Sequence, residues 1–468
     1  MQGDFSDMAG EGARRVSVTI AGAGLAGSLL ACLLAQRGYA VQVLERRGDP
    51  RRSAGTAGRS INLALAERGR YALRQAGLEE QVMAIALPMR GRQVHPLGRP
   101  SEFHAYGLSD SEAIWSLQRA RLNGLLLDAA ERAGAQLRFD AAVADIDFAS
   151  RRITLEQGGE PLDYELLVGA DGADSAVRKA LARQVDLGPA CQYQEHGYKE
   201  LEIPAAEAGG FRLNSDALHI WPRGGHMCIA LPNIDGSFTA TLFLHLQSDQ
   251  PDTPNFAALG KAADAQRWFA EAFPELYALM PNFSSDYDTH PVGMLGTLSL
   301  KQWHAHGNVV LLGDAAHPMV PFHGQGMNCA LEDAVALTRH LLEGASLPAA
   351  LAAYQAECQP NAGAIQAMAL ENYTEMSQRV SSAEFALERQ LSSWLEQRYP
   401  ERFVSRYRMV TFSRMPYLIA FERGKLQSDL LRQATQGRRS FDEIDLTWVA
   451  EHVRERIPRL PATFNPTP

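Results

Sequence analysis

The chain has 468 residues, 46% hydrophobic and 21% charged, the composition of a folded globular protein long enough to bury a sizeable core in two or three units. Its 54 acidic and 45 basic residues leave a net charge of −9, which excludes the basic footprint of a nucleic-acid scaffold. Five widely spaced cysteines with no Cys-x-x-Cys exclude a disulfide framework or a zinc knuckle and point to reduced thiols in a cytoplasmic setting.

Residues 1–13 are small, polar and acidic, the wrong composition for a signal or transit peptide, and read as a disordered tail. Val16 to Ala35 is free of charge and about as long as a membrane span. β-Branched residues at its start, three glycines within its first twelve residues and helix formers after them make strand, turn and helix the better reading. The glycines form a dinucleotide fingerprint. Gly22 makes the tight turn, Gly24 lets backbone reach a pyrophosphate and Gly27 allows close helix packing, with Leu25 and Ala26 in the same cofactor-binding turn. A second strand, Tyr39 to Leu44, ends at Glu45, where a carboxylate accepts hydrogen bonds from ribose hydroxyls. Arg46 and Arg47 beyond it read as a solvated turn, with Arg46 a candidate phosphate contact.

A helical pattern runs from Gly58 to about Leu73 and includes Ala64. Leu87 to His95 reads as a turn feeding a strand, and on spacing alone Arg90 and Arg92 are two surface charges. From Trp115 to Ala133, Leu122, Leu125, Leu126, Ala129 and Ala130 mark an amphipathic helix. Arg119 near its start opposes the helix dipole, a placement suited to a nearby anion or to open solvent. Tyr164 to Gly169 is another strand, ending in an acidic glycine turn at Asp171. Between about 191 and 300, the segments Ala217–Pro222, Met227–Pro232 and Phe238–Leu244 alternate as strands between glycine turns, which suits an antiparallel sheet.

Val309 to Leu312 reads as a short buried strand broken by Gly313-Asp314, and Gly326 opens a helix. Glycines on either side of Gln325 let backbone approach a planar ligand. Free N–H groups at Gly326, Met327 and Asn328 suit an anion or an electron-rich ring edge. A plain crossover loop is the alternative. Long helices follow from about 346, placing Asn372 and Met376 one turn apart. No repeat or low-complexity run is present, and no apolar segment near the C-terminus is long enough to span a membrane.

The glycine fingerprint, the turn at Asp171 and Gly313-Asp314 stand in the order used by single-component flavin hydroxylases of aromatic rings, and the chain resembles that family. The strings Arg59-Ser-Ile-Asn-Leu-Ala-Leu, Met89-Arg-Gly-Arg, His196-Gly-Tyr, Leu218-His-Ile-Trp-Pro, Ile229-Ala-Leu-Pro-Asn, Pro321-Phe-His-Gly-Gln-Gly-Met-Asn, Glu371-Asn-Tyr and Met409-Val-Thr-Phe-Ser-Arg narrow the resemblance to kynurenine 3-monooxygenases, from about residue 15 to 420. The chain departs from the family in a longer N-terminal tail and in lacking the membrane-anchoring C-terminus of animal members.

The resemblance implies an α/β fold in which a Rossmann-like FAD-binding domain carries an inserted antiparallel β-sheet substrate domain and a helical C-terminal region. The expected boundaries are 14–190 for the first part of the FAD domain, with substrate-domain strands near 86–108, then 191–300 for the sheet, 301–345 for the second part and 346–468 for the helices. It implies bound FAD, with Asp314 on the ribityl chain, the helix N-terminus at Gly326 facing the flavin pyrimidine ring, Ala64 near the ring and Arg119 toward the pyrophosphate. It further implies hydroxylation of L-kynurenine to 3-hydroxy-L-kynurenine by NADPH and dioxygen through a flavin hydroperoxide. With one dinucleotide fingerprint already holding FAD, NADPH is expected to dock transiently. The flavin carries the chemistry, so no nucleophile or metal is expected. Phe322 and His323 are expected to line the pocket, and His317 to be structural or to contact the ring. Arg92 matches the family arginine that binds the substrate carboxylate, with Tyr106, Asn372 and Tyr407 as its hydrogen-bonding companions. A homodimer is left open. A flavin dehydrogenase or reductase on the same fold, a hydroxylase of a related aromatic acid and a non-catalytic FAD-binding protein are the alternatives.

Overall fold

Val18–Ala21 is a strand with all four residues buried, the unbroken burial expected of a parallel strand covered on both faces. The computed structural model describes residues 16–52, 62–207, 209–250, 252–374 and 383–461. The expected tail 1–13, the Gly58 start of a helical pattern and Met376 lie outside the described residues. The chain divides into two compact units that alternate along the sequence: Met1–Ala86, Leu117–Gln194 and Leu295–Ala362 in the first, and Leu87–Ser116, Glu195–Met294 and Gly363–Pro468 in the second.

In the first unit a six-stranded sheet runs in the order His304–Ala305, Val309–Leu311, Leu166–Gly169, Val18–Ala21, Val41–Leu44, Gln136–Arg138. All its pairings are parallel except that of His304–Ala305 with Val309–Leu311. Register Val18↔Leu166 and Val18↔Val41 brings the carboxyl ends of three strands level, the edge at which such sheets bind ligands. The helix Leu25–Gln36, free of charge, packs against Arg119–Arg132 and Gly326–Glu343. No described helix is long and apolar enough to cross a membrane.

Two expected helices begin later than the sequence pattern suggests. Leu63–Leu65 is a strand, and the helix runs from Glu67 to Gln75. Leucine and alanine favour helix here, but the Asn328 side chain takes the Ala64 carbonyl and the Ala66 N–H, holding that backbone extended. Similarly, Ile114–Leu117 is a strand paired antiparallel with Leu87–Met89, and the helix starts at Arg119. Trp115 therefore belongs to the strand. Its β-propensity and cross-strand pairing prevail over a helical periodicity that becomes clear only at Leu122.

The second unit is built on a seven-stranded sheet in the order Gly293–Ser299, Ala190–Ile203, Phe238–His245, Met227–Pro232, Ala217–Pro222, Gly91–Val94, Glu102–Ala105; its stretches 190–194 and 295–299 are counted with the first unit. One face buries Trp221, Cys228, Phe238, Leu242 and Leu201 against Phe269, Leu276 and Tyr287 from the helices Ala262–Ala272, Pro274–Tyr277 and Phe283–Thr289, and against Phe273 between the first two. Sequence reading gave strands alone between 191 and 300, and these three helices are additions. Because side chains alternate along a strand, the paired residues Arg92 and Leu218 share the opposite face.

The helix Leu347–Thr374 contains Pro360 and runs across the division between the units. Beyond it, Ala383–Arg398, Tyr417–Thr435 and Leu446–Arg456 bury Leu391, Leu395, Leu430, Val449 and Val453 together. The short helix Arg406–Thr411 lies between the first two.

Candidate active site

In the first unit, Gly22 has φ +102, and a Cβ there would stand 2.5 Å from the Ala170 carbonyl oxygen. At Gly27 it would stand 2.1 Å from the Gly22 oxygen. These two glycines let strand and helix close on each other. Gly24 differs: it is exposed, nothing lies within 4 Å of where its Cβ would be, and it precedes the helix at Leu25 without a side-chain cap. Leu25, Ala26 and Gly27 thus open a helix whose first N–H groups have no intrahelical acceptor, an N-terminus suited to a phosphate. The Glu45 carboxylate accepts from Ala23 N at 2.9 Å and Arg47 N at 3.0 Å, which fixes it beside this turn with lone pairs to spare. Arg46 is exposed. Arg119, also exposed, has no carboxylate partner among the described residues. Asp171 follows the neighbouring strand, but its carboxylate is spent locally on Ser175 Oγ and on the N–H groups of Ala176 and Val177.

The second loop is tied down by one buried carboxylate. Asp333 Oδ2 accepts Gly313 N at 3.3 Å and lies 2.5 Å from His317 Nε2, while His317 N donates to Gly313 O at 2.9 Å. Both ends of the turn bearing Asp314 are therefore held from below. His317 is buried and stacks on Trp303, 4.9 Å between ring centroids. Burial pulls its pKa down, but the Asp333 carboxylate outweighs that and leaves it above the ordinary histidine value. Arg178 Nη1 donates to the Ala315 carbonyl at 2.8 Å from the side. Cys329 joins His317 and Asp333 with donor atoms within 4.8 Å of one another. Burial, then the nearby carboxylates, hold its thiol protonated, and the other two are spent on each other, so the trio reads as packing.

Phe322 is buried and His323 half-buried in the turn Pro321–His323 that precedes Gly324. The Asn328 side chain accepts from Ala66 N and donates to Ala64 O and Gly324 O, all at 2.9–3.0 Å. Ala64 is thereby fixed against the second loop. Gly326 and Met327 begin an 18-residue helix whose preceding residue, Gln325, provides no side-chain cap. Two uncapped helix N-termini, an unobstructed glycine and a fixed carboxylate are donors and acceptors of the kind a flavin dinucleotide needs, so these residues fit FAD.

In the second unit the Arg92 guanidinium carbon lies 5.5 Å from the Tyr106 ring centroid and 5.1 Å from that of Tyr407. The two rings stack 5.1 Å apart at 19°, and side-chain hydrogen bonds join Tyr106 to Arg92 and Tyr407. Burial raises both phenol pKa values, so the hydroxyls are neutral donors. A guanidinium set beside two tyrosine side chains with neutral hydroxyls is a natural receptor for a carboxylate. Asn372 is buried on the helix Leu347–Thr374, one residue past Glu371, which pairs with Arg406, the neighbour of Tyr407. The structure thus gathers Arg92, Tyr106 and Tyr407 directly.

Sequence reading missed Asp333, Arg178 and the bridging role of the Asn328 side chain. Only Asp333 left a trace, as a carboxylate on the otherwise apolar Ala330, Ala334, Leu337 stripe of its helix.

The FAD binding domain family matches residues 15–196 and 295–369. A kynurenine 3-monooxygenase of Stenotrophomonas maltophilia strain K279a is 52% identical over 448 residues, 95% of this chain and 98% of the relative. One of Xanthomonas axonopodis pv. citri strain 306 is 50% identical, covering 94% and 97%. Among solved structures, the tetrameric form of 2-methyl-3-hydroxypyridine-5-carboxylic acid oxygenase aligns with a TM-score of 0.66 at 21% identity, over 79% of this chain and 95% of that one. The Pseudomonas aeruginosa protein PqsL in complex with 2-aminobenzoylacetate aligns at 0.62 and 24%, covering 78% and 98%. At such identities the structural likeness speaks for the fold alone.

Proposed function

The chain belongs to the kynurenine 3-monooxygenase family of FAD-binding proteins, and from that premise we propose which of its residues serve the reaction. The activity is FAD-dependent hydroxylation of L-kynurenine to 3-hydroxy-L-kynurenine with NADPH and dioxygen. FAD, when bound, supplies the redox chemistry, taking a hydride from NADPH and activating dioxygen so that one oxygen atom enters the ring.

In our reading the first unit holds FAD. The N–H groups at Gly24, Leu25, Ala26 and Gly27 receive the pyrophosphate with Arg119 and Arg46, and Glu45 accepts from the ribose. Asp314 accepts from the ribityl chain, and the helix N-terminus at Gly326, Met327 and Asn328 faces the electron-rich edge of the ring. Asp171 acts through the helix it caps, and Ala64, Phe322 and His323 shape the surroundings of the ring. Arg92 takes the kynurenine carboxylate, with Tyr106, Tyr407 and Asn372 satisfying the remaining lone pairs. A buried carboxylate is tolerable only when paired and hydrogen-bonded. The Arg92 guanidinium set against two stacked tyrosines is the observation that carries this reading. NADPH docks transiently, and the setting is the bacterial cytoplasm.

The test is turnover by the purified holoprotein under labelled dioxygen. The expected product is kynurenine plus one labelled oxygen, with NADPH oxidation faster when kynurenine is present. NADPH oxidation indifferent to kynurenine, with no labelled product, would refute the reading.

A further inference from the structure

Arginines flank Tyr407 on both sides, and each is tied to a different stretch of the second unit. Arg408 places Nε at 2.9 Å and Nη2 at 2.5 Å from Glu112 Oε1, and Nη1 at 3.4 Å from Glu396 Oε2. The three side chains are only 10%, 3% and 6% exposed, so this is a buried network and not a surface pair. The other Glu112 oxygen accepts Leu108 N at 2.7 Å. A Cβ at Gly107 would stand 2.3 Å from that oxygen, so the residue after Tyr106 is bare where Glu112 folds back over it. Glu396 also accepts from Ser405 N, just before the helix that carries Tyr407. On the other side Arg406 Nη1 pairs with Glu371 Oε2 at 2.5 Å.

Buried ion networks contribute little net stability, because desolvation offsets the attraction, and apolar replacements of similar volume are often neutral. This network instead links two segments almost 300 residues apart in sequence, the Tyr106 loop and the Tyr407 helix. We infer that Arg408, with Glu112 and Glu396, is the positioning set of the carboxylate receptor, fixing the Tyr407 helix to the Tyr106 loop so that the two stacked rings are held together beside Arg92. It touches no substrate. The inference rests on the assignment of Arg92 to the kynurenine carboxylate.

The two ideas are separated by titrating flavin absorbance of the holoprotein with L-kynurenine and with its decarboxylated analogue, the same aminophenyl ketone without the carboxylate. Arg92→Met tests the receptor and is expected to lose kynurenine selectively. If it treats both ligands as the parent does, the receptor assignment falls and the inference falls with it. Glu112→Gln and the triple variant Glu112→Gln/Glu396→Gln/Arg408→Met test the positioning set; the triple variant removes the cation together with both of its buried anions, so it folds where Arg408→Met alone fails. With Arg92→Met behaving as expected, each should retain FAD, weaken kynurenine about tenfold and shift the analogue less than about twofold. Kynurenine binding within about threefold of the parent, or equal losses for both ligands, would overturn the positioning role while leaving the Arg92 assignment intact.

Discussion

Asp333→Ala removes the one carboxylate that holds both ends of the turn bearing Asp314. It deletes an acceptor 2.5 Å from His317 Nε2 and 3.3 Å from Gly313 N, with both partners buried. Breaking a buried charge pair from one side costs about 3–5 kcal/mol, a large share of the roughly 5–15 kcal/mol that folded proteins hold in total. Urea unfolding followed by circular dichroism at fixed excess FAD should show a loss of that size, accompanied by flavin release seen as fluorescence. His317→Phe, which keeps the stack on Trp303, completes a double-mutant cycle; the coupling should exceed about 1.5 kcal/mol. Dependence on pH gives an independent sign. His317 has a raised folded pKa, so its stabilisation is complete below the unfolded value of about 6.5 and fades as pH rises through the folded one. The parent should lose this contribution on the alkaline side, and Asp333→Ala should show no such loss. Single-mutant effects additive within about 0.5 kcal/mol, with identical pH profiles, would refute the role given to Asp333.

Arg92→Met should keep its FAD but bind kynurenine at least about 30-fold more weakly, the low end of removing one partner of a buried charge pair. Tyr407→Phe should be milder because one hydroxyl is lost; absorbance titration checks both. Gly24→Val has open space in the protein and should fold normally yet purify depleted of FAD. Gly22→Ala meets the Ala170 carbonyl at φ +102 and should instead lower the melting temperature, so flavin content and thermal unfolding together distinguish the two glycines. In the second unit His95 stacks on Trp221 and pairs with His219, and burial, then His219 and Arg223, push its pKa down to about 4. The unfolded chain therefore binds this proton first, and acid should weaken the fold as pH falls from about 6.5 toward 4. His95→Phe should flatten that slope in denaturant titrations at the two pH values.

The flavin motifs were legible because each is local: strand, glycine turn and helix start follow one another within about twenty residues, and the backbone obeys them at Val18–Ala21, Leu166–Gly169 and Val309–Leu311. The strands at Ala217, Met227 and Phe238 were legible by alternation and turn chemistry. Long-range side-chain ties left no such pattern. Asn328 holding Leu63–Leu65 extended, Asp333 beneath Gly313 and Arg408 reaching Glu112 each join residues whose partnership neither period nor spacing encodes. The grouping of Arg92, Tyr106 and Tyr407 was likewise invisible to spacing, and resemblance alone suggested it.

The order of strands in the first sheet also bears on how the chain is made. Val309–Leu311 pairs with Leu166–Gly169 across about 140 intervening residues, and the second unit's own sheet strands fall largely within that gap. During synthesis at roughly 5–20 residues per second, Leu166–Gly169 waits about seven seconds or more with one backbone edge unpaired. An apolar strand edge left open that long invites association with other chains. The ribosome thus delivers most of the second sheet before it completes the first, and the nascent FAD-binding half depends on a segment that arrives late to pair the exposed edge of Leu166–Gly169.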